Sequence, residues 1–240
     1  MLQTLIQELN KLKNSHKAKV LSRFFKTGKG EYGEGDIFLG ITVPKQRAVA
    51  KQYPDLPLED IAKLLKSAIH ERRLVGLLIL VAQFKKSFPH DRGASRRIIN
   101  FYWRQIGRIN NWDLVDLSAP HIIGPALFAG SKKKLYNLVK SKNLWARRIS
   151  ILSTLYFIRQ NKFADTLKIS EILLSDQHDL IHKAVGWMLR EVGKRDKKIL
   201  ENFLQKHFHK MPRTMLRYAI EKFPETERQY YLKKNDKKNI

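Results

Sequence analysis

Trp112 and Asp116 stand four residues apart in the stretch Asn110-Asn111-Trp112-Asp113-Leu114-Val115-Asp116. On a helix that spacing places an indole and a carboxylate on one face. An aromatic ring beside an anion suits a cationic, electron-poor target better than it suits a phosphate. The first-turn acid, Asp113, has a simpler explanation, because a carboxylate there favours the helix dipole. Asp116, one turn further along, is explained less well in that way. The pair matters because the chain around it is strongly basic, with 47 Lys and Arg against 22 Asp and Glu and a net charge of +25. Such an excess attracts a polyanion, nucleic acid first of all. A carboxylate that faces a polyanion needs a reason to be there. The bland alternative is a generally basic surface. An anionic membrane ranks last, because the basic residues are spread along the whole chain.

Other candidate motifs carry less. Gly28-Lys29-Gly30-Glu31-Tyr32-Gly33 matches the dinucleotide pattern G-x-G-x-x-G. No strand precedes it, and Glu31, Glu34 and Asp36 would repel a pyrophosphate. It reads instead as a flexible connector, with Tyr32 able to face a ligand. His178 and His182 have a metal-binding spacing but no third ligand, so they read as a surface pair and no metal is expected. There is no nucleophile elbow and no P-loop. Trp112, Trp145 and Trp187 all lie near helix starts, where aromatics are more often core than ligand contacts. Gly186, just before Trp187, leaves room for another backbone or a ligand to approach.

The elements that must position these residues are helices. Apolar periodicity is three to four throughout, and no stretch alternates at period two. Helices are expected over 2–14, 16–26, 44–53, 58–68, 70–86, 94–108, 112–118, 131–140, 144–160, 164–174, 178–194, 196–208 and 212–222. The short gaps suit antiparallel neighbours. A weak repeat joins Arg73, Trp112, Arg148, Lys183 and Arg217, at intervals of 39, 36, 35 and 34 residues. Helix pairs repeating at roughly 35 to 45 residues indicate an all-α, HEAT-like solenoid of antiparallel helix pairs. Its concave groove would be basic, lined by Arg72, Arg73, Arg147, Arg148, Lys183, Arg190, Arg213 and Arg217, and suited to a duplex backbone.

Composition narrows the remainder. The 240 residues are 43% hydrophobic with a mean hydropathy of -0.41, as expected for a soluble globular chain and not for a disordered one. One domain is expected, with N-terminal helices and the glycine-rich loop over 1–43, repeats over about 44–225 and a basic tail over 226–240. The end of that tail, Lys233 to Ile240, reads as disordered or as a loose DNA contact. With no cysteine, disulfides, Cys-based zinc sites, Fe–S clusters and a thiol nucleophile are excluded. The N-terminus reads as an amphipathic helix and not a signal peptide. The longest apolar run, Leu74 to Ala82, is far short of the roughly 18 residues that span a bilayer. A cytoplasmic protein is expected.

Four stretches together resemble a known family. They are Tyr32-Gly33-Glu34-Gly35-Asp36-Ile37-Phe38-Leu39-Gly40-Ile41 with Val43-Pro44 and Arg47; Trp112-Asp113-Leu114-Val115-Asp116; Leu144-Trp145-Ala146-Arg147-Arg148; and Lys183-Ala184-Val185-Gly186-Trp187-Met188-Leu189-Arg190-Glu191. In this order they resemble the AlkD-type DNA alkylation repair glycosylases, over about residues 15 to 225. The resemblance implies a HEAT-like solenoid that cradles duplex DNA. It also implies excision of positively charged N3- and N7-alkylated purines, without metal or organic cofactor. By the same resemblance Asp116 is the catalytic carboxylate, and Trp112 and Trp187 touch the sugar of the damaged nucleotide. Arg148 holds the DNA backbone, and Tyr32 lies about one position from an aromatic residue that borders the site. Arg147, Lys183, Arg190, Arg72 and Arg73 are expected as further backbone contacts, and Asp113 as a supporting residue. A monomer is expected, working at the bacterial nucleoid on double-stranded DNA with alkylated bases, with no membrane and no obligate protein partner. The alternatives are a non-catalytic HEAT-like module for damaged or branched DNA and, more distantly, a basic scaffold for protein or RNA.

Overall fold

The computed structural model describes residues 1–236, and side chains as far as Lys234. Fifteen α-helices account for most of these residues, with no β-strand among them beyond a single parallel bridge between Ile37 and Ile69. The chain forms two compact units, Met1–Ile122 and Ile123–Ile240.

In the first unit, α1 (Leu2–Lys11), α2 (Ser15–Phe24), α3 (Val43–Lys51), α4 (Leu58–Leu65), α5 (His70–Ser87), α6 (Arg92–Gln105) and α7 (Trp112–Asp116) follow in order. The centre is α5. Its run Leu74–Val81 is buried on every side, because α3, α4, α6 and α7 all pack on it. A helix that is apolar all round has to be a core helix. Asparagine and aspartate cap the neighbouring starts: Asn14 accepts from the Lys17 N–H, Asp91 from Ala94 and Asn111 from Trp112.

The second unit continues with α8 (Ala119–Phe128, across the division), α9 (Lys133–Leu138), α10 (Leu144–Arg159), α11 (Ala164–Ile172), α12 (Asp179–Arg195), α13 (Lys197–His207), α14 (Arg213–Ala219) and α15 (Glu225–Asp236). Here α10 is the buried centre. It packs on α9, α11 and α12, and α12 in turn packs on α13 and α14. Each helix touches its near neighbours in sequence, which is the connectivity of an α-solenoid.

Gly186 shows why the α12–α14 contact is close. A Cβ added there would lie 2.5 Å from the Met215 carbonyl oxygen and 2.5 Å from the Tyr218 Cβ. Of the two approaches the sequence left open at Gly186, the structure shows a backbone, that of α14.

Three expectations change. Residues 119–128 form α8, where the proline and glycine content broke the helical pattern. Pro120 sits in its first turn, where a missing N–H costs little, and Pro125 is carried inside the helix. The C-terminal stretch is helical through Asp236 instead of a tail. Tyr231 and Leu232 are buried there, acids open the helix, and Lys233 and Lys234 close it in favourable alignment with its dipole. The last residues of the expected tail, 237–240, lie outside the described residues.

The third change is the glycine-rich connector, which runs into a fixed segment. The carboxylate of Glu71, itself fully buried, accepts the N–H groups of Leu39, Gly40 and Ile41 at 2.8–3.2 Å. Gly40 has φ +84°, and a Cβ there would meet the Asn14 carbonyl oxygen at 2.1 Å. The acids Glu31 and Glu34 accept from the backbone N–H of Gly28 and Gly30.

Candidate active site

Trp112 and Asp116 open and close α7, a helix of only five residues. A helix so short has no stability of its own, so its orientation comes from tertiary ties. Asn111, fully buried, caps it and also donates through Nδ2 to Asp36 Oδ2 at 3.1 Å. One residue into the helix, Asp113 reaches inward to His70 Nε2 at 2.8 Å. The other ring nitrogen of His70 lies 3.0 Å from Asp36 Oδ2, and Arg73 Nη2 is 2.6 Å from Asp36 Oδ1. Arg73, Asp36, His70 and Asp113, in that order, thus form a buried chain of alternating charge beneath α7.

The protonation of this chain follows from its geometry. A neutral imidazole has one N–H, so it can donate to one carboxylate only. With a carboxylate oxygen on each ring nitrogen, the doubly protonated ring is favoured. Burial works against the charge. The Asp113 carboxylate and the hydrogen bonds to Asp113 and Asp36 outweigh both burial and the nearby Arg73 charge, and push the His70 pKa up to about 9. For Asp36, burial pushes the pKa up, but hydrogen bonds from His70, Arg73 and Asn111 and the guanidinium charge hold it below the ordinary value. A buried ion pair of this kind is weak evidence for net stability, but removing one partner is costly.

Aromatic rings complete the mount. Trp112 stacks on Phe25 at 5.0 Å with an interplanar angle of 9°, and Phe25 continues onto Phe38 and the His70 ring. Phe24 meets Trp112 edge-on at 5.9 Å and is 60% exposed. Trp112 and Asp116 are themselves half-buried. Asp116 lies close enough to the fully buried Tyr102 for its charge to raise that phenol's pKa. Burial is the larger cause, and the hydrogen bond to Ser118 opposes it. Tyr32 is half-buried too, and its hydroxyl donates to the Phe24 carbonyl at 3.4 Å. Tyr32 therefore joins the segment that carries the exposed aromatic ring.

The basic candidates divide by their surroundings. Arg73, expected on a groove, is 5% exposed and bound to Asp36. Arg72 is half-buried. In the second unit, Arg148 is buried and donates to the Leu180 carbonyl at 2.5 Å. Arg147 is bound to Asp176 and to the Ser141 and Lys142 carbonyls, Lys183 to Asp179 and Arg190 to Glu221. Trp187 is half-buried, with its indole N–H on Glu191 at 3.2 Å, whereas Trp145 belongs to the core. His178 caps α12, and His182 hydrogen-bonds the Asp176 carbonyl. Both histidines therefore serve the backbone around the α12 start.

The helix starts also correct the repeat register. Arg148, Lys183 and Arg217 each occupy the fifth position of their helix, α10, α12 and α14. In α7 the fifth position is Asp116, not Trp112. An acid thus stands in the slot that is basic in the later repeats.

The family description "DNA alkylation repair enzyme" matches residues 5–223. The chain belongs to the DNA alkylation repair enzyme family. A solved structure described as a predicted DNA alkylation repair enzyme from Enterococcus faecalis is similar in fold, with a TM-score of 0.66 and 18% identity. The match covers 89% of this chain and 97% of that one. No curated protein matches the sequence. Among the described residues, no helix is long and apolar enough to cross a membrane. Within this family member, sequence reading missed Phe24, Phe25, Asp36, His70, Glu71 and Asn111. The available signal was His70-Glu71, ionisable residues in the turn that opens the helix of the long apolar run Leu74–Ala82.

Proposed function

We propose that the protein is a monofunctional DNA glycosylase that removes N3- and N7-alkylated purines from duplex DNA by hydrolysing the N-glycosidic bond. The observation that carries this reading is the Trp112–Asp116 face. A carboxylate and an aromatic ring share one side of a short helix, and that helix is anchored by a buried ionic network. Family membership supports it.

A purine alkylated at N7 or N3 carries a positive charge, so it leaves as a neutral base and needs no general acid. The remaining barrier is the positive character that develops on the sugar. Asp116 stabilises that charge electrostatically and positions the attacking water, which adds to the anomeric carbon as the base departs with the electrons of the glycosidic bond and which releases a proton to solvent. Aromatic faces favour the same electron-poor sugar. In this reading Trp112 contacts the sugar. Lys183 contacts the backbone, Arg148, which is buried, holds the Leu180 carbonyl at the start of α12 and does not itself reach the DNA, and Asp113 supports α7. The chemistry requires neither a metal nor a cofactor. Base excision repair is the setting.

The test is to incubate the protein with methylated duplex DNA and analyse the released bases by mass spectrometry. Free N3-methyladenine and N7-methylguanine are expected. Tight binding with no released base would mark a non-catalytic module instead.

A further inference from the structure

The second face of α6 carries an unused charge pattern. Arg92, Arg96, Asn100 and Arg104 recur every four residues, with Arg97 alongside, and Arg108 follows in the next turn. All six are exposed. The opposite side of the helix holds Ser95, Ile98, Phe101 and Tyr102, which are buried where α6 packs on α4 and α5. No Asp or Glu occurs from Arg92 to Trp112, and the preceding Asp91 is engaged in capping Ala94. Among the described residues, none of these five arginines makes an ion pair, in contrast to Arg73, Arg147, Lys183 and Arg190.

This pattern is unfavourable for the helix by itself. Like charges four apart repel, and Arg92 stands in the first turn, against the positive end of the dipole. An anionic partner relieves both. Every charge on the stripe is an arginine, whose planar fork grips phosphate oxygens two at a time. From Arg92 to Arg104 it rises roughly 18 Å along α6 and, at about 40° per four-residue step, winds about 120° around it, so the arginines spread over one broad convex face that can meet several phosphates. Single strands are bound by exposed rings on which bases stack, and the α6 face offers none, its one tryptophan, Trp103, being half-buried. The stripe also points away from the proposed chemistry. Tyr102, on the buried side of α6, hydrogen-bonds Ser118 and lies in the field of Asp116.

We propose that the outer face of α6 is a second binding surface for duplex DNA, which takes a segment other than the one presented to Trp112 and Asp116. The surface reads phosphate and not sequence. It would let the protein pass between DNA segments without full release. The inference takes DNA as the partner from the proposed function but does not need the glycosylase chemistry.

The experiment compares the wild-type protein with the triple variant R96Q/R97Q/R104Q. Glutamine keeps helix propensity and removes only charge, and circular dichroism checks the fold. Two undamaged duplexes, one with a donor dye and one with an acceptor, are mixed with each protein, and energy transfer reports bridging. In parallel, the affinity for one undamaged duplex is measured against salt. Wild-type protein is expected to bridge. The variant is expected to lose bridging and to show a salt slope shallower by about 2 to 3, at close to one counterion per lost phosphate contact. Its single-turnover excision at saturating DNA should stay within twofold of wild type. Equal bridging and equal slopes in the two proteins would overturn the proposal. So would preferential displacement of the duplex by polyglutamate, which would assign the stripe to an acidic protein. Failure of wild-type protein to release any alkylated base would remove the glycosylase reading while the bridging result still decides this one.

Discussion

His70 joins α5 to α7 through its Nε2, 2.8 Å from Asp113 Oδ2, while its other nitrogen holds Asp36 of the preceding loop. One imidazolium thus fixes both the helix that bears Trp112 and Asp116 and the loop between α2 and α3 that carries Asp36. The arrangement makes stability depend on pH in a defined direction. The pKa of His70 is raised from 6.5 to about 9 in the folded protein. Its contribution is therefore fully present below pH 6.5 and is lost as pH rises through 9, by up to about 3 kcal/mol. Urea unfolding at pH 6.5 and pH 9.5 should show this loss, and the Asp113→Asn variant should show less of it. Equal stability of the wild-type protein at the two pH values would mean that the ring is neutral throughout.

Removing one partner of this network should be costly. Asp113→Ala leaves a buried cation facing an empty site, for which about 3 kcal/mol of lost stability is expected. Glu59→Ala, at the exposed start of α4, should cost less than about 0.5 kcal/mol. Urea midpoints of the two variants check this directly. Similar midpoints would show that water or local rearrangement replaces the Asp113 contact.

Gly186→Ala tests the packing of the second unit. The added methyl carbon would lie 2.5 Å from the Met215 carbonyl oxygen, and backbone cannot yield as a flexible side chain can. A loss of about 2 kcal/mol is expected from overpacking. Stability equal to wild type would show that α14 can move away from α12.

Trp112→Ala should slow excision of N7-methylguanine about tenfold, which corresponds to an aromatic face acting on a partly desolvated positive charge. Trp112→Phe keeps a ring and should recover most of the rate. Single-turnover kinetics at saturating DNA distinguishes this from weaker binding. If phenylalanine is no better than alanine, the indole has a role other than its face.

The helical fold was legible because burial imposes period-three-to-four patterning on almost every segment, and because Asn14, Asp91, Asn111, Asn143 and Asp196 announce helix starts. Helix α8 was hidden by Pro120 and Pro125, whose local preference the surrounding packing overrides. At the site, Trp112 and Asp116 could be paired by spacing alone. Their mount could not, since Asp36, His70 and Asp113 are far apart in sequence and meet only in the folded unit. Exposed charge and buried charge also look alike in a sequence. Arg73 therefore read as a groove residue, while the stripe on α6 went unnoticed.

Asp116→Asn is the most direct test. The substitution removes the negative charge and little else, so the affinity for duplex containing N7-methylguanine should be unchanged or tighter. The single-turnover rate of base release should fall by at least about a hundredfold, the scale on which removal of one electrostatic stabiliser is felt. An asparagine variant that releases N7-methylguanine at the wild-type rate would contradict the assignment of Asp116 as the catalytic carboxylate.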